Sequence, residues 1–268
     1  MIPTTSPRIN VGVIGAGGRM GSTVCQAVVD DPDLDLVAAV DPNYQGIDLR
    51  TATGIDSELD ITAGVESFAY RGVQVAVDFT ERSAGARNLS LLAADAIHAV
   101  VGTTGFTDDD VARFRSEFTR SNAVIAPNFA IGAVLMMRFA EIAAPYFDSA
   151  EVIELHHDNK LDAPSGTAML TVERMAAASG EWTGDPTRTE LIEGARGGDG
   201  PSGIRVHSVR LRGLVAHQEV LLGTTGQTLS LRHDSIDRTS FMPGVLLAIK
   251  AVADTPGVTV GLDALLGL

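Results

Sequence analysis

The sequence predicts an α/β protein of two domains: a doubly wound parallel sheet, then a second α+β domain built on a mixed or antiparallel sheet. Three observations predict it. Short apolar runs alternate with helix-like segments from Ile9 to Phe129, the pattern of parallel strands joined by crossover helices. The first run opens into a glycine turn, Gly15-Ala16-Gly17-Gly18-Arg19-Met20-Gly21. From Ile204 to His233 three strand-like runs follow one another with no helix between them, which parallel connections do not allow.

The elements follow in order. Ile9 to Ile14 is a strand, and Ser22 to Asp30 is the helix after its glycine turn. Leu34 to Val40 is a second strand that ends at Asp41-Pro42. Val73 to Phe79 is a third, followed by a helix from Ser83 to Asp95. Ile97 to Val101 runs into Gly102-Thr103-Thr104-Gly105, a helix spans Asp108 to Arg120, and Ala123 to Ala126 runs into Pro127-Asn128-Phe129. A helix from Ile131 to Tyr146 begins the second domain. The strand Ala150 to Leu155 leads through His156 to Thr167 into a helix that reaches Ala178. Glu181 to Gly203, rich in glycine, proline and charge, reads as a mobile loop. Ile204 to Leu211, His217 to Gly223 and Gln227 to His233 are strands, with Thr224-Thr225-Gly226 as a hairpin turn. A closing helix, Phe241 to Ala253, returns with the tail to the first domain. The expected boundaries are therefore 1–129, 130–240 and 241–268.

Composition narrows the function classes. A net charge of −14 leaves no basic stripe to release counterions, so nucleic acid and anionic membrane surfaces are not expected partners. No apolar run approaches the roughly 20 residues of a membrane span, and Met1 to Pro7 shows neither an apolar signal core nor a cleavage pattern. The single cysteine, Cys25, lies in an apolar helical run and forms no disulfide within the chain, which fits a reducing cytoplasm.

The glycine turn sits between strand and helix, where glycine lets a backbone approach a pyrophosphate and aim N–H groups at it. The residues Gly15, Ala16, Gly17, Gly18, Arg19 and Met20 are thus candidates to bind a dinucleotide on a Rossmann-like domain. The spacing, G-x-G-x-x-x-G, is one residue longer than the commonest fingerprint, and a glycine cluster alone is weak evidence. Asp41 strengthens it, since an acidic side chain at the end of the second strand accepts hydrogen bonds from an adenosine ribose; a plain turn initiator before Pro42 is the alternative. Gly102, Thr103 and Thr104, with Ala126, Pro127, Asn128 and Phe129, follow later strands at the carboxyl edge where open α/β sheets bind ligands, and short hydroxyl and backbone groups there suit a nicotinamide ring.

The densest chemistry lies between His156 and Thr167. Lys160 is one of two lysines against eighteen arginines, so a compact ammonium stands where this chain ordinarily uses guanidinium. It reads as a functional cation, with a leftover surface lysine as the alternative. Proton transfer near neutral pH suits imidazole. Neighbours on an extended chain point to opposite faces, so one of His156 and His157 faces the reaction and the other holds substrate or loop. No cysteine or third histidine lies at ligand spacing, and no metal is expected. Gly166 and Thr167 open a helix, whose first N–H groups receive a carboxylate, as Lys160 does; Ser165 is the N-cap. His98, His207, His217 and His233 fall in strand-like runs and read as structural. The residues alone leave open another nicotinamide-dependent dehydrogenase, which would not need a lysine and a helix N-terminus to hold a dicarboxylate, or a catalytically silent nucleotide sensor, which would have no reason to retain His156 with Lys160.

These segments, with Val101-Gly102-Thr103-Thr104-Gly105-Phe106, Ala126-Pro127-Asn128-Phe129, Glu154-Leu155-His156-His157, Asp162-Ala163-Pro164-Ser165-Gly166-Thr167-Ala168 and His217-Gln218-Glu219, resemble the dihydrodipicolinate reductase family in order over almost the whole chain. The actinobacterial members look most similar. The resemblance implies NADH- or NADPH-dependent reduction of 4-hydroxy-tetrahydrodipicolinate, a small cyclic dicarboxylate, to tetrahydrodipicolinate with loss of water, in the diaminopimelate route to lysine. It implies His156 as proton donor, Lys160 as second catalytic group, and His157, Lys160, Gly166 and Thr167 as substrate contacts. The cofactor would be held by Gly15 to Met20, Asp41, Gly102 to Thr104 and Ala126 to Phe129. It also implies a homotetramer joined through sheets of the second domain. Many members place a basic residue directly after the acidic one at the end of the second strand. Here it is Pro42, which argues against strong NADPH selectivity.

Overall fold

The computed structural model describes residues 7–268. The N-terminal segment discussed above lies outside them, apart from Pro7. The described chain forms β1 (Ile9–Ile14), α1 (Arg19–Asp30), β2 (Leu34–Val40), α2 (Leu49–Thr53), β3 (Val75–Asp78), α3 (Arg82–Ala94), β4 (His98–Val101), α4 (Asp108–Glu117) and β5 (Ala123–Ile125). It continues with α5 (Ile131–Ala143), β6 (Ser149–His156), α6 (Gly166–Ala178), β7 (Gly198–Asp199), β8 (Arg205–Arg210), β9 (Ala216–Thr224), β10 (Gln227–Ser235), α7 (Met242–Ala251) and β11 (Val258–Val260). Two compact units result: the residues up to Phe129 together with Phe241–Leu268, and Ala130–Ser240.

The sheet of the first unit has the order β11-β5-β4-β3-β1-β2, with every pairing parallel. Its inner strands are covered on both faces, so they are near-continuous aliphatic runs: Val11, Val13, Ala76, Val77, Val100 and Val101 have no exposed surface. The chain leaves β1 towards β2 and then crosses to β3 on the other side of β1. The strand order therefore reverses between β1 and β3, the position at which open α/β sheets bind ligands. Glycine allows α1 to lie close against the end of β1, because a Cβ on Gly21 would stand 1.9 Å from the Gly15 carbonyl oxygen. Hydrogen bonds close the unit at its far end. Lys250 of α7 pairs with Asp31 at 2.9 Å and Asp33 at 2.8 Å, and the Asn122 amide donates to the carbonyls of Val252 and Ala253 while accepting from Gly257 N–H.

In the second unit the order is β10-β9-β6-β8-β7, with β6 and β8 parallel and the other pairings antiparallel. Helices α5 and α6 cover one face, where Val152, Val206, Val220 and Leu222 pack with Met136, Ala140, Val172 and Met175. Strand periodicity sends Ile153, Leu155, Val209 and Leu221 to the opposite face, where they are half-buried.

Residues 181–203 are irregular, as their composition implies, yet they are anchored. Thr183 N–H donates to Asp148 O at 2.7 Å, Arg196 pairs with Glu151 at 2.6 Å, Arg205 pairs with Asp185 at 2.9 Å, and β7 adds an edge to β8. The closing helix is shorter than its apolar pattern, with 3₁₀ turns at Arg238–Phe241 and Val252–Asp254 on either side of α7. Among the described residues no helix is long and apolar enough to cross a membrane.

Candidate active site

At the carboxyl edge of the first sheet, the glycine turn is shaped mostly by its own amides. Gly15 takes a φ of +80°, and a Cβ there would meet the Phe79 carbonyl at 3.1 Å, so the loops after β1 and β3 touch at the switch point. Gly15 and Ala16 N–H both donate to Val40 O, at 2.7 and 3.0 Å, and Gly18 N–H donates to Gly15 O at 3.0 Å. Gly17 N–H donates to Asp41 Oδ2 at 3.1 Å. Helix α1 then starts from Gly18, which supplies no side-chain cap. The amides of Arg19 and Met20 thus open a helix N-terminus whose dipole favours an anion. Gly15, Ala16, Gly17 and Gly18 thus spend their amides within the protein, and Arg19 and Met20 are the first two residues of α1.

Asp41 takes the turn-initiating role that the sequence left open. Its Oδ1 accepts from Asn43 N–H at 3.0 Å and starts the 3₁₀ turn Pro42–Tyr44, while Oδ2 holds Gly17. A carboxylate has about four acceptor sites, so two remain for other donors. The Tyr44 ring packs on Gly17, where a Cβ would lie 2.2 Å from it.

The later loops are braced by a residue the sequence reading missed. Asp78, the last residue of β3, is fully buried. Its Oδ1 accepts from Thr80 N–H at 3.0 Å, Thr80 Oγ1 at 2.7 Å and Thr103 Oγ1 at 2.8 Å, and its Oδ2 accepts from Asn88 at 2.8 Å. The Thr103 hydroxyl thus donates to Asp78 and accepts from Thr80 N–H at 2.9 Å. Ala126 and Phe129 are likewise interior: Ala126 N–H donates to Val101 O, and the Phe129 ring lies 5.8 Å from that of Phe79. Phe79 also explains Gly102, since a Cβ there would enter its ring at 2.0 Å. Backbone groups, with Thr104 and Pro127 exposed, form the outer surface of this edge.

The second unit gathers the other candidates at the end of β6. Glu154 and His156 share the helix-covered face, and His156 Nδ1 lies 2.5 Å from Glu154 Oε2. Parallel pairing places Arg210 of β8 opposite His156. Its guanidinium grips Glu154 with two bonds, Nη2 to Oε1 at 2.8 Å and Nη1 to Oε2 at 2.9 Å, and Nη2 donates also to the Asp162 carbonyl at 2.7 Å. The Lys160 ammonium contacts both carboxylate oxygens of Asp162 at 2.8 Å. Ser165 caps α6 by accepting from Ala168 N–H at 3.2 Å, as expected, and Gly166 and Thr167 are the first two helical residues. Thr171 Oγ1 donates to Thr167 O at 2.7 Å and accepts from the Gln218 amide at 2.8 Å, which ties this turn to β9.

Burial pulls the Glu154 carboxyl upward, but hydrogen bonds from His156, Arg210 and Ser208 outweigh it and hold the group at about 2 instead of the usual 4.5. Neither Glu154 nor Arg210 was identified from sequence as part of the site. The signal was present in Glu154 two residues before His156 on one strand, which alternation puts on the same face. Arg210 is distant in sequence and needed the β6–β8 register. The remaining histidines have local partners: His98 accepts from Asn122 N–H, His207 meets Glu151 and His217 meets Asp234, while the His233 ring packs on Gly132.

A parallel sheet whose order reverses at a glycine turn, with an uncapped helix N-terminus and a carboxylate at the end of β2, fits a pyridine dinucleotide. That fold, with a second α+β unit on the same chain, defines the class: a pyridine-nucleotide-dependent oxidoreductase. The chain belongs to the dihydrodipicolinate reductase family: the family's model for "Dihydrodipicolinate reductase, N-terminus" matches residues 9–129 and that for "Dihydrodipicolinate reductase, C-terminus" matches residues 132–266. It is 51% identical over 267 residues to 4-hydroxy-tetrahydrodipicolinate reductase of Nocardia farcinica, covering 97% of this chain and 99% of that one. The enzyme of the same name from Cutibacterium acnes is 50% identical with the same coverage. Among solved structures, a dipicolinate-bound dihydrodipicolinate reductase from Paenisporosarcina sp. TG-14 superposes with a TM-score of 0.84 at 38% identity, covering 96% of this chain and 99% of that one. An amine dehydrogenase from Mycobacterium smegmatis shares the fold at a TM-score of 0.61 and 14% identity, with 97% of this chain and 96% of that one covered.

The ionisation of Glu154 gives a measurable pH dependence. A folded-state carboxyl held below its unfolded value stabilises the native state fully above pH about 4.5, and that contribution is lost as pH falls towards about 2. In Glu154→Gln the urea midpoint should therefore vary less across this window than in the parent protein. Parallel pH dependence in the two proteins would show that Glu154 is not held in this way.

Proposed function

We propose how this member carries out the family reaction, in which 4-hydroxy-tetrahydrodipicolinate is reduced to tetrahydrodipicolinate by NADH or NADPH with loss of water. One observation carries the reading: His156, Lys160 and the first turn of α6 are gathered at one end of the second sheet, with His156 Nδ1 committed to Glu154. Nε2 is then the nitrogen that serves the substrate. The bound cofactor supplies the hydride, and His156 Nε2–H supplies the one proton that balances it. Lys160 and the amides of Gly166 and Thr167 receive the substrate's carboxylates, and His157 contacts the substrate beside them. Lys160 starts from a pair with a largely exposed Asp162, and such pairs contribute about 0–1 kcal/mol, so a substrate carboxylate replaces Asp162 at little cost. The outer amides of α1, Asp41 and the loops at Gly102 to Thr104 and Ala126 to Phe129 hold the dinucleotide.

The working protein is proposed to be a cytoplasmic homotetramer, in which the second-unit sheet meets other subunits through the face carrying Ile153, Leu155, Val209 and Leu221. Light scattering at working concentration should report four chains per particle, and a monomer would refute this part.

Activity tests the roles directly. With freshly generated substrate, His156→Gln should lower kcat by about 10² to 10⁴ while cofactor affinity is unchanged. Lys160→Arg should raise KM despite keeping its charge, because the guanidinium fork has a different reach. Near-normal kcat in the histidine variant would remove His156 from proton donation.

Cofactor choice follows from Asp41. Its charge is held by Gly17 and Asn43 amides, which leaves acceptor sites for ribose hydroxyls and repulsion for an added phosphate, and Pro42 brings no guanidinium to offset it. NADH should be used at least as well as NADPH. A kcat/KM preference above about tenfold for NADPH, near 1.4 kcal/mol, would mean that a cation such as Arg19 reaches the phosphate.

A further inference from the structure

We propose that Glu154 and Arg210 are positioning residues of the reaction: Glu154 fixes the His156 ring with its proton on Nδ1, and Arg210 locks Glu154 and the Lys160 loop into one unit. The inference rests on the reading of His156 as proton donor and adds the groups that make it one.

Glu154 has no exposed surface and lies on the face of β6 that also buries Val152. A hydrophobic pair of similar volume would fill such a position at equal or greater stability than a buried ion pair. The polar residues continue across the sheet, with Ser208 and Gln218 in register beside Glu154, among Val152, Val206 and Val220. Buried Glu154 therefore requires an explanation other than packing, and its neighbour along the same face is His156.

Geometry supplies the explanation. A neutral imidazole has one N–H and one lone pair, and the carboxylate 2.5 Å from Nδ1 accepts only. The proton of the neutral ring is thereby assigned to Nδ1, and the transferable proton of the charged ring to Nε2. Arg210 keeps the carboxylate in place by a two-bond grip that lysine cannot reproduce. Its other bonds go to the Val209 and Asp162 carbonyls. Asp162 carries Lys160, so one guanidinium sets both the acid and the loop that bears the cation. A positioning role predicts different kinetic effects for the two residues: Glu154 acts on kcat alone, whereas Arg210 acts on kcat and on substrate KM.

The test uses the full-length chain. Histidine ¹⁵N spectra, with His156 assigned by its loss in His156→Gln, should show a protonated Nδ1 and an unprotonated Nε2 when the ring is neutral. The double variant Glu154→Leu with Arg210→Met replaces the pair by apolar groups, so it avoids an uncompensated buried charge. It should lose this tautomer preference and fall on the order of 10²-fold in kcat. Glu154→Gln should lower kcat with substrate KM within twofold, and Arg210→Lys should lower kcat and raise KM several-fold. The proposal is overturned if the folded double variant keeps the Nδ1–H ring and parental kcat, or if Glu154→Gln and Arg210→Lys alter KM alone. A His156→Gln variant with normal kcat would instead overturn the proton-donor reading, which separates the two failures.

Discussion

A carboxylate buried at the end of a β-strand must be surrounded by donors, because an isolated charge cannot be left in a medium of low polarity. Three carboxylates impose this constraint here. Asp41 follows β2, Asp78 ends β3, and Glu154 lies two residues before the end of β6; all three are buried. Each is satisfied differently. Asp41 is held by the amides of Gly17 and Asn43, Asp78 by two hydroxyls, an amide N–H and an asparagine side chain, and Glu154 by a guanidinium and an imidazole. The loops that carry the candidate site are thus folded around carboxyl groups whose hydrogen bonds are made within the protein.

Helix starts differ in how their donors are satisfied. Helix α4 closes its own N-terminus with a full capping box between Thr107 and Asp110. Helix α1 begins at a glycine with no side-chain cap, and α6 spends its Ser165 cap on Ala168, the third helical residue. Of these three helices α1 alone starts without a side-chain cap, and it is the one that follows the glycine turn.

Much of this was legible in the sequence because it is local. Valine-rich runs and the glycine turn fix β1, α1 and β2, and the observed bounds of β1 and β2 coincide with the apolar runs. The block from His156 to Thr167 displays its strand, loop and cap in consecutive residues. What was not legible depends on contacts distant in sequence. The Glu154–Arg210 grip joins residues 56 apart, and Asp78 reaches Thr103 across 25. Strand β11 has three residues, too few for a periodicity, and exists because β5 offers it an edge. Nor does a glycine motif show that Gly15 and Ala16 will spend their amides on Val40, since that requires the β1–β2 register.

A chain of net charge −14 that handles an anionic cofactor and a dicarboxylate has an electrostatic problem that its overall composition does not solve. At physiological ionic strength charges beyond about 8 Å are largely screened, so the balance is struck locally. At the first sheet the local terms are helix amides at Arg19 and Met20, with the Asp41 carboxylate already engaged by two backbone donors. At the second, Lys160 is neutralised by Asp162 and Glu154 by Arg210. In the proposed mechanism the substrate carboxylate takes the place of Asp162, one anion exchanging for another on the same ammonium. Local charge is then nearly unchanged by binding, and selectivity is left to reach and geometry. That is why the spacing of Lys160 from the first turn of α6 matters more than the number of cations the chain carries.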